Sequence, residues 1–329
     1  MQPDDRIAAG LCPVCDGKGR TVLARGGRDD PALTTVVCLG CGLVSHHPLP
    51  DPEAVAAYYE REYRLAHKGA AQPKPKHVLR ALRGAIARAR RLAPALPPGA
   101  HVLDVGASSG EFTHIMAGLG FRATGVEPNR GYAAFARQSY GATVHDGGYA
   151  EAPFVPGGYH LITLNHVLEH LPDPGQALSR FHELLAPDGL LFLEVPNLLG
   201  VRKRAATLFH TAHVWNFTPQ TLTGLAARHG FAVQPGENTA ETSLVFRRLS
   251  SPVALPADPG LAARLCRQVA AEQSSLAYLR SGAPFLRRWH RLCRALEEWR
   301  TVRRYRNARA LADALTATAF AAAVGQRSG

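Results

Sequence analysis

The sequence predicts an α/β protein: a doubly wound, mostly parallel sheet with a small four-cysteine ribbon before it and a helical tail behind it. Three observations carry this. From His101 onward, apolar runs of strand length alternate with helical patterns. Near the N-terminus, Cys12, Cys15, Cys38 and Cys41 form two Cys-x-x-Cys pairs. From about Pro259 the chain is rich in Ala and Arg with helical character, and it lacks the heptads of a coiled coil.

At 329 residues the chain has room for one large domain or two smaller ones, and a hydrophobic content of 46% supports a packed core. Met1 to Gly10 is polar and acidic, which reads as a frayed terminus and not as a signal peptide. No apolar run reaches the roughly 18 residues of a membrane span. The expectation is a soluble cytoplasmic protein of open oligomeric state. The net charge is +12 and unevenly placed. Residues 61–92 hold ten Lys/Arg against one acid, and the tail from Ser251 holds thirteen Arg against five acids. Such a surplus suits an anionic partner: a nucleotide-linked substrate, a phospholipid surface or nucleic acid. It equally suits solvated arginine-rich helices.

The two cysteine pairs are separated by 22 residues that read as a hairpin rich in Gly and Asp. Without an export signal, paired Cys-x-x-Cys units favour a metal over disulfides. Four thiolates at this spacing suit tetrahedral Zn²⁺, in a closed site whose role is structural. A redox dithiol is the rival, and two matched pairs argue against it. His46 and His47 read as surface or substrate-side residues, because four thiolates already complete the site. Cys266 and Cys293, alone on helical patterns, read as buried apolar residues.

Asp51 caps a helix bearing Tyr58 and Tyr59, and a basic amphipathic helix spans Val78–Leu92. The core then reads as strand His101–Val105, helix Glu111–Leu119, strand Arg122–Val126, helix Gly131–Tyr140 and strand Ala142–His145. Strand His160–Leu164, a helix from Gly175 to Leu185, a turn at Ala186–Gly189 and strand Leu190–Val195 follow. After Pro196 come a helical stretch Arg202–Phe209, an aromatic loop His213–Phe217 and a helix to His229 with Thr218 as cap and Pro219 at its first position. Gly230-Phe231 begins another strand, and Ser243–Arg248 is the last one. Ligands of such sheets bind beyond the carboxyl ends of the strands.

Gly106 and Gly110 bracket a turn of small residues between the first strand and its helix. Backbone amides approach a ligand closely in such a turn. The four-residue spacing fits poorly the Gly-x-Gly-x-x-Gly that a pyrophosphate needs. Glu127 ends the second strand, where a carboxylate accepts hydrogen bonds from ribose hydroxyls. Asp104 stands before the turn, placed to orient the loop or to meet a ligand ammonium.

At this point a resemblance enters. Val102-Leu-Asp-Val-Gly-Ala-Ser-Ser-Gly-Glu-Phe112, Gly125-Val-Glu-Pro128, Leu164-Asn-His-Val-Leu-Glu-His-Leu-Pro-Asp-Pro174 and Gly189-Leu-Leu-Phe-Leu-Glu-Val-Pro-Asn197 resemble successive motifs of class I S-adenosylmethionine (SAM)-dependent methyltransferases, across about residues 100–248. The resemblance implies a Rossmann-like fold and a SAM pocket lined by Asp104, Gly106, Ser108, Gly110, Glu127, Asp146 and Asn165. Ser108 stands where this turn often carries glycine. With its four-cysteine zinc ribbon the chain is similar to bacterial zinc-ribbon methyltransferases, which include enzymes that C-methylate nucleotide-linked deoxysugars. In those a His follows the fourth strand and a Glu-His pair the fifth. Here His170 and His213 match, Ala212 replaces the Glu, and the tail is too short and too helical for those enzymes' further C-terminal domain. Quinone-precursor O-methyltransferases carry a Glu-His cluster that can hold a divalent cation, and His166, Glu169 and His170 resemble it. The same segment has the spacing of an inverzincin protease, in the wrong structural context.

The resulting expectation is a zinc ribbon at 1–50, a helical linker or lid at 51–99, a SAM-binding core at 100–250 and a basic helical extension at 251–329. The function expected is SAM-dependent methylation of a small or glycosylated metabolite. His170 or His213 would act as general base, and His166 and Glu169 would belong to the same catalytic group. An anionic handle on the acceptor would meet the basic helix at Arg80–Arg91. The alternatives are a nucleic-acid methyltransferase, which the absence of an Asn/Asp-Pro-Pro-aromatic run after Leu164 disfavours, and a binding protein that keeps the fold without catalysis.

Overall fold

The structure is a computed structural model that describes residues 10–61, 72–150, 152, 154–200, 205–271 and 283–325. The terminus expected to fray lies outside this range at residues 1–9. Eleven strands are labelled β1 (Arg20–Arg25), β2 (Thr34–Cys38), β3 (Val44–His46), β4 (His101–Val105), β5 (Arg122–Glu127), β6 (Val144–Asp146), β7 (Tyr159–Asn165), β8 (Leu185–Glu194), β9 (Trp215–Asn216), β10 (Phe231–Val233) and β11 (Ser243–Arg248). The helices are α1 (Pro52–Arg61), α2 (Pro75–Leu92), α3 (Glu111–Gly118), α4 (Arg130–Tyr140), α5 (Pro174–Leu184), α6 (Ala205–Leu208), α7 (Pro219–Arg228), α8 (Pro259–Ala271), α9 (Ala283–Val302) and α10 (Ala308–Gly325).

The first sheet has the order β1-β2-β3-β9, and the second the order β10-β11-β8-β7-β4-β5-β6. In the second, β4 with β5 and β5 with β6 are parallel, and β11 runs antiparallel to both β8 and β10. The mostly parallel sheet with flanking helices is Rossmann-like. Its order reverses between β4 and β7. Among the described residues no helix is long and apolar enough to cross a membrane.

Residues 1–55 and 164–280 form one compact unit, and residues 56–163 and 281–329 form another. In the first, β1 and β2 pair from Arg20↔Cys38 to Arg25↔Thr34, and β3 adds β9 through Val44↔Asn216 and Ser45↔Trp215. Leu23, Val37, Val44, Leu198 and Phe209 form one apolar cluster with Leu261, Ala262, Leu265 and Val269 of α8. Those α8 residues recur at helical spacing, so the helix offers one stripe to the sheet. Gly42 has φ +78°, and a Cβ there would stand 2.5 Å from Leu261 Cγ. Glycine is therefore what lets α8 come this close. Thr218 caps α7 through a capping box with Thr221, and Pro219 occupies the first position as the sequence predicts.

In the second unit, α2 buries Val78, Leu79, Leu82, Ala85, Ala89 and Leu92 along one face. Its basic side is partly committed. Arg80 grips the buried carboxylate of Glu298 with two hydrogen bonds of 2.5 and 2.7 Å, and Arg83 pairs with Glu297 at 2.6 Å. Arg80 holds Glu298 below its ordinary carboxylate range. Two arginines of the segment expected to meet an anionic acceptor are thus already paired with acids of the tail.

Some expectations are corrected. The third strand of the core lies at Val144–Asp146, because Gly141 at φ +68° ends α4 and the Ala142 amide still bonds the Ala136 carbonyl. The expected turn at Ala186–Gly189 is extended as the start of β8; Pro187 is tolerated because pairing with β11 begins only at Leu190. His46 is buried, not at the surface, and burial pulls its pKa down to about 4. Cys293 is exposed, not buried, and Cys266 is half-buried.

Gly110 is the residue on which the β4–α3 turn depends. Its φ is +86°, and a Cβ there would lie 2.5 Å from the Cβ of Ala136. Gly110→Ala is expected to lower the free energy of unfolding by about 2 kcal/mol, through left-handed strain and overpacking. Urea denaturation checks this; an unchanged midpoint would contradict it.

Candidate active site

The turn after β4 is built by three left-handed residues: Gly106 at φ +72°, Ser108 at +53° and Gly110 at +86°. Ser108 adopts the conformation that glycine takes freely, at a strain of about 1–2 kcal/mol. The turn rests on β5. The Gly106 and Ala107 amides both donate to the Val126 carbonyl at 2.9 and 3.0 Å. A Cβ on Gly125 would stand 2.7 Å from that of Ala107, so the strand must be bare there.

Glu127 closes β5 with its carboxylate nearly buried. It accepts from the Ser108 amide at 2.8 Å and the Asn129 amide at 3.1 Å. This ties the turn to the next strand end. Asp146 lies in register with Glu127 on β6, half exposed, with Arg137 at 2.8 Å. Two carboxylates at adjacent strand ends form an acceptor set suited to hydroxyl and amino groups, which is what the ribose and adenine of SAM present. Asp104 is placed differently: fully buried, it accepts from Thr163 at 2.8 Å and Thr113 at 3.2 Å. It braces β7 and α3 beneath the turn. Beside it, the buried Ser109 hydroxyl donates to Glu111 at 2.7 and 2.9 Å, a contact that residue type and spacing do not reveal. Asn165, the last residue of β7, lies in the other unit with its side-chain oxygen buried and without a hydrogen bond.

In that unit the remaining site residues gather around one carboxylate. A 3-10 turn, Leu168–His170, follows β7 and buries Glu169 to 1% exposure. Neither carboxylate oxygen has a hydrogen bond. Three histidine nitrogens face Oε1: His166 Nδ1 at 3.4 Å, His170 Nε2 at 3.8 Å and His213 Nε2 at 4.0 Å. His166 also reaches Glu194 at 3.3 Å, and these two acids push its pKa up to about 9. Its φ of +55° is a strained value for a non-glycine residue. His170 Nδ1 donates to the Ala212 carbonyl at 2.6 Å, so in the neutral ring Nε2 is the acceptor. Ala212 thus contributes through its backbone. The His213 ring lies 4.8 Å from that of His170 and 3.9 Å from that of His210. Burial, then the positive neighbours His170, His210, His166 and Arg28, hold the His213 pKa far below its ordinary value. His213 is therefore a neutral ring in a cationic surround. His210 carries no motif signal in the sequence, and Glu194 lies within the Gly189–Asn197 motif without being singled out there.

The four cysteine sulfurs lie within 4.8 Å of one another, with Cys12–Cys41 and Cys15–Cys38 both at 3.6 Å. Four thiolates on a tetrahedral Zn²⁺ at about 2.3 Å stand about 3.8 Å apart, so the set fits. The residue after each pair is left-handed, Asp16 at φ +56° and Gly42 at +78°. Hydrogen bonds from Cys12 and Cys41 hold the Cys38 thiol well below its ordinary range, and Cys12 is pushed up to about 12. Glu169, His170 and His213 form a second group whose donor atoms lie within 4.8 Å. A carboxylate and two imidazoles are a donor set for a divalent cation.

Residues 76–235 match the family described as a methyltransferase domain. This segment is a class I SAM-dependent methyltransferase domain. The methyltransferase domain's relatives include C-methyltransferase NovU of Streptomyces niveus, 28% identical over 207 residues, covering 61% of this chain and 47% of that protein. The ubiquinone biosynthesis O-methyltransferase of Pseudomonas aeruginosa is 33% identical over 105 residues, 30% of this chain and 45% of that one. The chain thus aligns with about half the length of the curated relatives it matches. Among solved structures, the 1,6-didemethyltoxoflavin-N1-methyltransferase of Burkholderia thailandensis is similar at 21% identity and a TM-score of 0.46, covering 69% of this chain and 100% of that chain.

Asp104 yields a pH prediction. Burial raises its carboxyl to about 6 from 3.8, against the opposing hydrogen bonds of Thr163 and Thr113. The folded state therefore holds this proton after the unfolded state has lost it. Stability from this group is full below the unfolded pKa and falls as pH rises to about 6, by at most on the order of 3 kcal/mol. In Asp104→Asn this decline is expected to vanish, so unfolding free energy between about pH 4 and pH 6 should fall less steeply than in the wild type. Parallel pH profiles for the two proteins would contradict the assignment.

Proposed function

We propose that the protein transfers a methyl group from SAM to a hydroxyl or acidic carbon of a small or glycosylated metabolite, with His213 as general base. The observation that supports this most is His213 Nε2 standing 4.0 Å from the buried Glu169 carboxylate. Gly106, Ser108, Gly110, Glu127 and Asp146 would hold SAM, with Asp104 bracing the turn from below. Bound SAM supplies the methyl on a sulfonium that is already a good leaving group, so the chain must supply position, orientation and a base. His213 would take the acceptor's proton as the methyl is transferred. Glu169 then faces an imidazolium and stabilises it. His170, fixed through Ala212, and His166, bridging Glu169 and Glu194, keep that carboxylate in place. Relatives named for C- and O-methylation are consistent with a base that serves either atom.

His213→Gln is expected to reduce single-turnover methylation at saturating SAM by about a hundredfold or more. SAM affinity by calorimetry should stay within about twofold. A rate within about threefold of wild type would sink the assignment.

Cys12, Cys15, Cys38 and Cys41 would hold a structural Zn²⁺. A second reading of the histidine cluster is favoured by the two Glu169 oxygens that lack hydrogen bonds: Glu169, His170 and His213 would hold a divalent cation that binds and acidifies an acceptor hydroxyl. Metal analysis separates these. Cys38→Ser should lose one zinc per chain and melt at least about 5 °C lower. Only under the second reading does Glu169→Gln also reduce the metal count. A wild-type chain with no zinc would remove the ribbon assignment.

A further inference from the structure

The hairpin between β1 and β2 ends in a loop that carries Arg28. This loop is fastened to the segment that bears His210 and His213. The Arg28 amide donates to the Phe209 carbonyl at 2.8 Å. The Asp29 carboxylate accepts from the Thr211 amide at 3.1 Å and the Thr211 hydroxyl at 3.0 Å. A Cβ on Gly27 would press on the Phe209 carbonyl at 3.1 Å and on Leu33 Cδ2 at 2.7 Å, so the close approach needs a glycine.

Beside this junction is a cavity of about 210 Å³, whose polar lining is Arg28, Asn197, Thr207, His210, His213 and Asn216. Among the described residues no acidic side chain lines it. The Arg28 guanidinium makes no hydrogen bond or ion pair among the described residues. Its neighbour Asp29 is turned to Thr211. The described lining thus brings the Arg28 guanidinium together with two amides and two imidazoles, with the Asp29 carboxylate acting on His210 from outside the lining, and a planar guanidinium there matches an oxyanion. Its volume falls below the roughly 300–1,000 Å³ of a pocket for a whole drug-sized ligand, so it suits one group of a larger molecule.

We propose that this cavity takes an oxyanion of the acceptor, a carboxylate or a phosphate, paired with Arg28, and so places the acceptor's reactive atom at His213. The purpose assigned to the site rests on the methyl-transfer reading; its occupancy does not. The ribbon hairpin then selects the acceptor: the cysteines set one end, and the other end presents the arginine.

The test titrates the full-length, zinc-loaded chain with inorganic phosphate, pyrophosphate and acetate while following the His210 and His213 ring signals by NMR. Saturable shifts are expected with at least one anion. The tighter of acetate and the phosphates names the acid. Arg28→Gln should weaken that binding about tenfold or more, since a charge-assisted pair is lost. Arg28→Lys should restore part of it, as the charge remains without the fork. SAM affinity should be unchanged in both variants. No saturable shift with any of the three anions, or equal affinity in wild type and Arg28→Gln, overturns the proposal. If anions bind through Arg28 and SAM does not bind, the site stands and the methyl-transfer reading falls. If SAM binds and the anions do not, the anion site falls alone.

Discussion

A carboxylate withdrawn from water, with no hydrogen bond on either oxygen, needs positive charge around it. Glu169 is that group, and the character of the histidine cluster follows from it. His166 is held protonated because it stands between Glu169 and Glu194. Burial above all, and then the neighbouring side chains, keep His213 from taking a proton of its own at rest. Two histidines thus stand in opposite states beside one acid. A resting cluster with a charged and a neutral imidazole can accept a proton without first releasing one.

The donor half is governed by packing. Bare strand at Gly125, bare turn at Gly110 and a buried Asp104 bracing two threonines leave the backbone little freedom. The turn is thereby shaped before any ligand arrives, which lowers the entropy lost on binding. Ser108 shows the limit of this shaping, since it holds a left-handed conformation that only its neighbours enforce.

Much of the core was legible because its signals are local. His101–Val105 and Ser243–Arg248 have the same ends in sequence and structure, and the Thr218-Pro219 helix start is set by chemistry within four residues. The cysteine spacing likewise brings four sulfurs together. Legibility fails where tertiary context decides. β9 has two residues, too few for any periodicity, and exists because β3 offers an edge. His46 is polar by type yet buried by the sheet around it, and Cys293 is apolar by type yet exposed. Within the candidate site, His166, Glu169, His170 and His213 were visible through motif likeness. Arg28 and His210 belong to no motif, and Glu194 sits inside one without any sign of its partner His166; only the fold brings them near the others.

The fourth strand of the ribbon sheet has a consequence for how the chain is made. β1, β2 and β3 are contiguous and can pair as soon as they leave the ribosome, but β9 is translated much later. Closing that edge is a long-range event, slow by nature and late in synthesis. Until then β3 presents unpaired backbone groups, the kind of edge that recruits other strands. Metal bound early by the four cysteines would hold the hairpin in register through that interval. The cluster's lasting value then lies as much in protecting the nascent chain as in supporting the finished one.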